Sequence, residues 1–207
     1  MKENIESPRP ALQVNGVSLD FSHKKALDSV SARFVSGKIH ALVGENGAGK
    51  SCLADILCGI KQPSGGTILL NDNPVCFSSS TQALKAGIAV VRQRPVLLEK
   101  GRVWENVFLG YCKNNRQIFC FKKTVKAKLD ELCHEWNVSL DSNLLIGDAA
   151  DVERFYIALF TALLHDPAFL ILDEPSALLN EEERRNFLAS LKKKVSEGLG
   201  VVYITIM

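Results

Sequence analysis

The sequence predicts an α/β fold: a sheet core with crossover helices, an antiparallel β part at the N-terminus and an inserted helical subdomain. Apolar runs of strand length alternate with segments of helical spacing along the chain. One such run leads through a glycine-rich turn directly into a helix. A middle stretch, about residues 93–148, has helical spacing and no strong strand. The length of 207 residues suits one domain that carries a smaller inserted lobe.

The first part of the chain, residues 1–92, is predicted to hold the β part and the first half of the core. Short strands are expected at residues 12–21 and 32–34, and the apolar run 38–43 is expected to be a buried strand. After the glycine-rich turn, apolar residues recur at the spacing of a helix: Leu53, Ile56, Leu57 and Ile60. Strand character resumes at residues 67–70, after a turn rich in proline and glycine.

The helical subdomain is predicted over residues 93–150, and the second half of the core over residues 151–207. Strand signals return at residues 169–172 and 201–204. Between those strands, Asn180 with Glu183 predicts the start of a helix. Inside the helical subdomain, one amphipathic helix is marked by Val125, Leu129, Leu132 and Trp136.

The composition is that of an ordinary globular protein, with 46% hydrophobic and 23% charged residues. The net charge of +2 gives no indication of a nucleic-acid partner, and none is expected. The first ten residues lack the apolar centre of a signal peptide, and no run approaches the roughly 20 apolar residues of a membrane span. We expect a cytoplasmic protein with reduced thiols, because the cysteines form no CxxC pair: Cys52, Cys58, Cys76, Cys112, Cys120 and Cys133.

Residues 44–51 read GENGAGKS, a full match to the phosphate-binding pattern GxxxxGK[ST] between a strand and a helix. The glycines let backbone N–H groups turn towards phosphates, beside a helix N-terminus that favours anions. Lys50 is expected to reach the β- and γ-phosphates of ATP, and Ser51 to bind Mg²⁺ through its hydroxyl. The predicted nucleotide-binding residues of this segment are Gly44, Glu45, Asn46, Gly47, Ala48, Gly49, Lys50, Ser51 and Cys52.

A second pattern, FLILDEP at residues 169–175, places two acids at the end of an apolar strand. Asp173 is expected to bind Mg²⁺, and Glu174 to act as the general base that activates the attacking water. Two acids after a strand more often form a solvated turn, but the upstream phosphate-binding loop favours the functional interpretation.

These two patterns together resemble the ATPase subunits of ABC transporters, over nearly the whole chain. The resemblance implies a P-loop NTPase (RecA-like) core within a single ABC-type nucleotide-binding domain. Three segments are similar to the importers for simple sugars and nucleosides, the ribose-type branch: a Phe-Ser-Ser element before an Ala-Gly-Ile strand, WENVFLG at residues 104–110, and SALL at residues 176–179.

The resemblance also implies roles that the residues alone do not show. Phe21 matches the aromatic that stacks on adenine, for which a flat apolar ring is adequate. Gln93 matches the Q-loop glutamine that touches Mg²⁺ and links the core to the helical subdomain. The implied catalytic residues are therefore Glu174, Lys50 and Gln93, and the implied metal ligands are Ser51, Gln93 and Asp173.

The chain departs from the family pattern at two places. The signature motif, LSGGQ or LSVGE in relatives, falls on Ala149–Ala150–Asp151–Val152–Glu153, where only Glu153 fits. The final strand is followed by Ile206 where relatives have a histidine that contacts the γ-phosphate. Measured against the family pattern, the second half of the core is expected to end early, as in a fragment or the product of a decayed gene. Because the signature of one subunit contacts the γ-phosphate held by the other, we expect impaired hydrolysis.

The sequence thus predicts an ATP-binding subunit of an importer, with ATP and Mg²⁺ as cofactors. Its expected partners are membrane permease subunits and a second ABC nucleotide-binding domain, at the inner face of the cell membrane. The solute is open among sugars, nucleosides and riboflavin-like compounds. Two alternatives remain: a catalytically inactive ATP-binding regulatory or structural subunit, and a soluble ABC ATPase of DNA repair or translation.

Overall fold

The computed structural model describes residues 9–21, 24–111 and 121–206. These residues form two four-stranded sheets, one antiparallel and one parallel, with helices packed around the parallel one. Residues 1–8 lie outside the described residues, as do Cys112 and Cys120. The cysteines that are described, Cys52, Cys58, Cys76 and Cys133, carry free thiols.

The antiparallel sheet is built around its first strand, which pairs with the second strand on one side and the fourth on the other. Its strands, in spatial order, are β2 (Lys24–Val35), β1 (Ala11–Phe21), β4 (Gly65–Leu70) and β5 (Asn73–Val75). The expected antiparallel β part is therefore present. Strand β2 is much longer than the predicted 32–34, because its first half alternates polar residues with few apolar ones and so lacks an apolar run.

The parallel sheet forms the centre of the molecule. Its strands, in spatial order, are β3 (Ile39–Val43), β8 (Gly200–Thr205), β7 (Phe169–Asp173) and β6 (Ile88–Val91). All five residues of β7 are buried, as its apolar run predicts. The prediction that residues 38–43 form a buried strand is wrong, because β3 lies at the sheet edge. Ile39 and Val43 are 38% and 44% exposed.

The helices within the described residues are α1 (Lys50–Leu57), α2 (Ser80–Lys85), α3 (Val103–Tyr111), α4 (Phe121–Trp136), α5 (Asp151–Leu163) and α6 (Glu181–Ser196). Alternate residues of β7 pack on the two faces of the sheet, as strand geometry requires. Leu170 and Leu172 join a core formed with α3, α4, α5 and α6. Phe169 and Ile171 join a second core formed with α1 and the antiparallel sheet.

Residues 93–150 contain α3, α4 and a short 3₁₀ helix, Ile146–Asp148, and no strand of either sheet lies in the part of this stretch that is described. The amphipathic interpretation of α4 is confirmed, since Val125, Leu129 and Trp136 are fully buried. The exact subdomain boundaries at residues 92/93 and 150/151 stay predictions. No helix of the described residues is long and apolar enough to span a bilayer.

The predicted start of α6 is also confirmed. The Asn180 side chain accepts hydrogen bonds from the backbone N–H of Glu182 and Glu183, at 3.0 and 2.9 Å. The Glu183 carboxylate accepts the N–H of Asn180 in return, at 2.8 Å. This reciprocal capping box fixes the helix start that follows β7.

Candidate functional site

The carboxyl ends of the four parallel strands bring the predicted site residues to one edge of the sheet. Val43 of β3 pairs with Thr205 of β8, and Asp173 of β7 pairs with Ile204 of β8. The last residue of β6 pairs with the residue before Asp173. The glycine-rich turn, the segment containing Gln93 and the acids after β7 therefore start at the same edge, which is where open α/β sheets bind ligands.

The glycine-rich turn between β3 and α1 takes backbone conformations that favour glycine. Gly47 and Gly49 have φ of 80° and 88°. A Cβ on Gly49 would lie 2.7 Å from Cδ2 of Leu27, so the turn also packs closely on strand β2. The backbone N–H of Ala48 donates to the Glu45 carbonyl, at 3.2 Å. The side chains of Glu45 and Asn46 are exposed.

Lys50 begins α1 and reaches back over the turn. Its Nζ donates to the carbonyls of Gly44 and Glu45, at 2.7 and 2.9 Å. Gly49 supplies no side-chain cap, and the first turn of α1 contains no acidic residue. The ammonium group and the positive end of the helix dipole thus lie together, which is an arrangement suited to an anion such as a phosphate.

Ser51 and Asp173 lie close together, although they are far apart in the sequence. Ser51 Oγ donates to Asp173 Oδ1 over 3.4 Å, and Asp173 is buried. A hydroxyl oxygen and a carboxylate oxygen are the kind of ligands that Mg²⁺ prefers. The two residues therefore fit the magnesium site that the sequence predicts. Gln93, the second residue after β6, is half-buried at the same edge.

The residue before Gln93 is a member of this cluster that sequence reasoning missed. Arg92 forms an ion pair with Asp55 of α1, and its Nη1 lies 3.5 Å from Asp173 Oδ2. Lys61 Nζ also contacts Asp55, at 2.9 Å. The signal available in the sequence was positional: Arg92 directly follows β6, and so faces the end of the neighbouring parallel strand.

Glu174 has a left-handed backbone, with φ 51° and ψ 49°, which is uncommon for a residue with a side chain. Its N–H donates to the Ile204 carbonyl at 3.0 Å, so strand β8 holds it in this conformation. A strained residue held by its surroundings is a reason to suspect function. The role of Glu174 as general base stays a prediction.

Two further predicted binding residues lie near Lys61. The Phe21 ring, at the end of β1, is 48% exposed, and Lys61 Nζ lies 5.1 Å from its centroid. Cys52 is half-buried on α1, with its Sγ 4.0 Å from the same ammonium group. An exposed ring at this place is compatible with stacking on a base, and the role stays a prediction.

The segment where the signature motif was expected starts helix α5. Ala150 is the N-cap residue and offers no side-chain acceptor, while the Glu153 carboxylate accepts the Ala150 N–H at 2.8 Å. Only half of a capping box is therefore present. Asp151 and Glu153 both lie in the first turn, so negative charge already occupies the positive end of this helix dipole. In this respect the start of α5 is the opposite of the start of α1.

The sequence profile of the ABC transporter family matches residues 27–177, which include the glycine-rich turn and both acids after β7. The chain belongs to the ABC transporter family. It is an ABC ATPase domain, a class that binds ATP, and its fold is the P-loop NTPase fold with antiparallel β and helical subdomains. Within this family, the chain has distant similarity to ribose import ATP-binding proteins.

Curated relatives and solved structures agree with this assignment. The chain is 34% identical, over 96% of its length, to the ribose import ATP-binding protein RbsA 1 of Agrobacterium fabrum. It is 35% identical, over 95% of its length, to the RbsA protein of Caldanaerobacter subterraneus subsp. tengcongensis. The chain spans only 39% and 40% of the lengths of these relatives.

Among solved structures, a nucleotide-free ATP-binding cassette from an ABC transporter superposes with a TM-score of 0.82 at 20% identity, covering 94% of this chain and 81% of the other. The ADP conformation of the ATP-binding cassette MJ1267 superposes with a TM-score of 0.79 at 20% identity, covering 95% and 81%. At these identities the likeness establishes the ABC ATPase fold.

Proposed function

We propose that this chain is the ATP-binding subunit of an ABC importer for a small polar solute, such as a sugar, a nucleoside or a riboflavin-like compound. The observation that carries the proposal is the meeting of Lys50, Ser51 and Asp173 at one edge of the parallel sheet. Similarity to ribose import ATP-binding proteins supports the importer branch. The names of these relatives specify ribose, while the nucleoside and the riboflavin-like compound come from the sequence resemblance.

In this proposal each residue at the sheet edge has a separate task. Lys50 and the uncapped N-terminus of α1 hold the phosphates, while Ser51, Asp173 and Gln93 hold Mg²⁺. When bound, Mg²⁺ supplies Lewis-acid polarisation of the phosphate oxygens. Glu174 accepts a proton from the attacking water as general base. The exposed ring of Phe21 stacks on the adenine.

We further propose that hydrolysis is impaired. The family uses the N-terminus of the helix equivalent to α5 to contact the γ-phosphate in the partner's site. Here Ala150 has no hydroxyl, Val152 adds bulk, and Asp151 adds negative charge. Loss of a single such donor typically costs about 2.7–4 kcal/mol of transition-state stabilisation. The partner's site is the one this defect would weaken, while Ile206 would weaken the chain's own site.

A groove between the sheet and the helical subdomain supports docking on a permease. Its volume is about 590 Å³, and its wall includes residues from β6, α3 and α5. Three large apolar side chains at this groove are exposed: Val96, Leu98 and Leu109 are 101%, 54% and 60% accessible. An exposed apolar patch of this kind on a protein surface marks an interaction site. We assign it to a cytoplasmic helix of a membrane permease, at the inner face of the membrane.

A capture experiment tests the importer assignment. The tagged chain is incubated with detergent-solubilised membranes of its source cells, and bound polytopic permeases are identified by mass spectrometry. Leu109→Arg should abolish capture because it places a charge in the groove. Ile60→Arg, at a residue that is 53% exposed and does not line the groove, should leave capture intact. Capture of DNA-repair or translation factors in place of a permease would refute the importer assignment.

Ile206, at the position of the family's γ-phosphate histidine, favours one second candidate function, a catalytically inactive ATP-binding subunit that completes a dimer. It shares the nucleotide site with the first proposal and differs only in turnover. An experiment on a pair separates the two candidates. The chain is paired with an ABC subunit whose signature is intact but whose own catalytic base is substituted, and phosphate release is measured. Turnover under these conditions supports an active importer subunit, and its complete absence supports the inactive one.

A further inference from the structure

Arg92 connects the predicted magnesium ligand Asp173 to a second carboxylate behind it. One end of the guanidinium pairs with Asp55 Oδ1 on α1, while Nη1 lies 3.5 Å from Asp173 Oδ2. Asp55 also holds Lys61 through its other oxygen, at 2.9 Å. Arg92 therefore pairs with two carboxylates, and Asp55 pairs with two cations.

The two oxygens of Asp173 face different partners. Oδ1 accepts from Ser51 Oγ over 3.4 Å, and Oδ2 faces Arg92. The side chains of Asp173 and Arg92 are 12% and 27% exposed, so solvent screens their attraction only in part. A positive charge at this distance reduces the negative potential that a dication would experience at the same carboxylate.

We propose that Arg92 is a positioning residue that competes with Mg²⁺ for Asp173, and that Asp55 limits this competition by holding Nη2 of the guanidinium, so that Nη1 comes no nearer than 3.5 Å to Asp173. The inference rests on the proposed function, because it takes Ser51 and Asp173 as magnesium ligands. Arg92 and Asp55 would thus adjust the affinity for Mg²⁺ without contacting the phosphates. Mg²⁺ would therefore increase the affinity for ATP by less than its ligands Ser51, Asp173 and Gln93 would permit without Arg92.

The proposal requires opposite effects from two substitutions in one ion-pair network. Arg92→Gln removes the competing charge and should strengthen Mg²⁺ binding. Asp55 keeps Lys61 after this change, so its carboxylate is not left unpaired. Asp55→Asn removes the charge that draws Arg92 away and should weaken Mg²⁺ binding. A purely structural network would instead lose affinity in both variants.

The measurement is a ratio that cancels general effects on nucleotide binding. The Kd of a fluorescent, non-hydrolysable ATP analogue is determined in EDTA and in excess Mg²⁺, and the first is divided by the second. We expect Arg92→Gln to raise this ratio by about three- to tenfold, and Asp55→Asn to lower it by about the same factor. In the Arg92→Gln background, Asp55→Asn should change the ratio by less than about twofold, because the two residues act through one contact.

Controls separate this inference from the proposed magnesium site. Lys61→Gln removes a matched positive charge from Asp55 and should change the ratio by less than about twofold. Ser51→Ala and Asp173→Asn should both reduce the ratio. If neither does, the magnesium site itself is wrong and the role of Arg92 is wrong with it. If both do but Arg92→Gln fails to raise the ratio, or Asp55→Asn raises it, only the competition is overturned.

Discussion

Arg154 of α5 and Glu99 form a bidentate ion pair, with Nη1 and Nη2 each 2.7 Å from one carboxylate oxygen. The same guanidinium donates to the carbonyls of Ile146 and Ala149, at 2.8 and 3.2 Å. One side chain thus ties the segment that follows Gln93 to the start of α5. Both ends of this link lie beside residues that the proposed function places at nucleotide sites.

The ion pair predicts a dependence of stability on pH. Hydrogen bonding to Arg154 lowers the pKa of Glu99 below its ordinary value. Since the folded pKa is the lower one, the stabilisation is fully present above the unfolded pKa and is lost as the pH falls through the folded pKa. Glu99→Gln should therefore lower Tm at neutral pH. As the pH falls below about 4.5, the Tm of the variant should decline less than that of the wild type.

Thermal unfolding followed by circular dichroism between about pH 3.5 and 7 measures this effect. Glu131→Gln, which neutralises an exposed carboxyl on α4, is the matched control and should behave as the wild type. An identical pH dependence for Glu99→Gln and the wild type would show that the ion pair contributes nothing in solution.

The left-handed backbone of Glu174 predicts a conflict between stability and catalysis. Glu174→Ala and Glu174→Gly both remove the carboxylate, but only glycine adopts φ 51° without strain. Glycine also adds conformational entropy to the unfolded chain, which offsets part of this advantage. We therefore expect the glycine variant to be more stable than the alanine variant by about 0.5–1 kcal/mol. This corresponds to roughly 1–4 °C in Tm.

Comparison of Tm for the two variants checks this prediction, and neither variant should hydrolyse ATP. An alanine variant that is as stable as the glycine variant would mean that strand β8 does not hold residue 174 in a strained conformation in solution.

The start of α5 can be completed as a helix cap. Ala150→Ser supplies the missing acceptor opposite the existing Glu153 contact, which should stabilise the protein by about 1 kcal/mol. The expected rise in Tm is about 2–4 °C. Ala177→Ser, at an exposed position inside the 3₁₀ helix Pro175–Leu178 and not at a helix N-cap, should give no rise. An unchanged Tm for Ala150→Ser would indicate that Ala150 is not the N-cap residue.

The sequence predicted those parts of the site whose signals are local. The spacing GENGAGKS, the acids after the apolar run of β7, and Asn180 with Glu183 each specify a turn or a helix start by themselves. Two ion pairs escaped prediction because their partners lie far apart in the sequence: Arg92 with Asp55, and Arg154 with Glu99. The exposure of β3 was not predicted for a related reason, since the burial of a strand depends on its neighbours in the sheet.

The altered signature predicts a defect that belongs to the partner's site. In a pair with an intact ABC subunit, Ala150→Ser combined with Asp151→Gly and Val152→Gly should restore turnover there. Recovery of one donor corresponds to about 10²–10³-fold in turnover. Glu174→Gln silences this chain's own base, so phosphate release in that background reports the partner's site alone.

The gain should survive in the Glu174→Gln background, because the repaired contact acts across the interface. Absence of any gain would reject the trans-contact for this protein. A gain that disappears with Glu174→Gln would place the repaired contact at this chain's own site and reject the model as well.

The central claim is that the turn holding Lys50 binds the phosphates of ATP, and calorimetric titration with Mg-ATP tests it most directly. Lys50 is the positive side chain of this turn, and a hydrogen bond to a charged group contributes about 1.5–3 kcal/mol. Lys50→Ala should therefore raise Kd by about ten- to a hundredfold. Lys38→Ala, which removes an exposed lysine before β3, should leave Kd unchanged. Equal affinity of the wild type and Lys50→Ala for Mg-ATP would contradict the account.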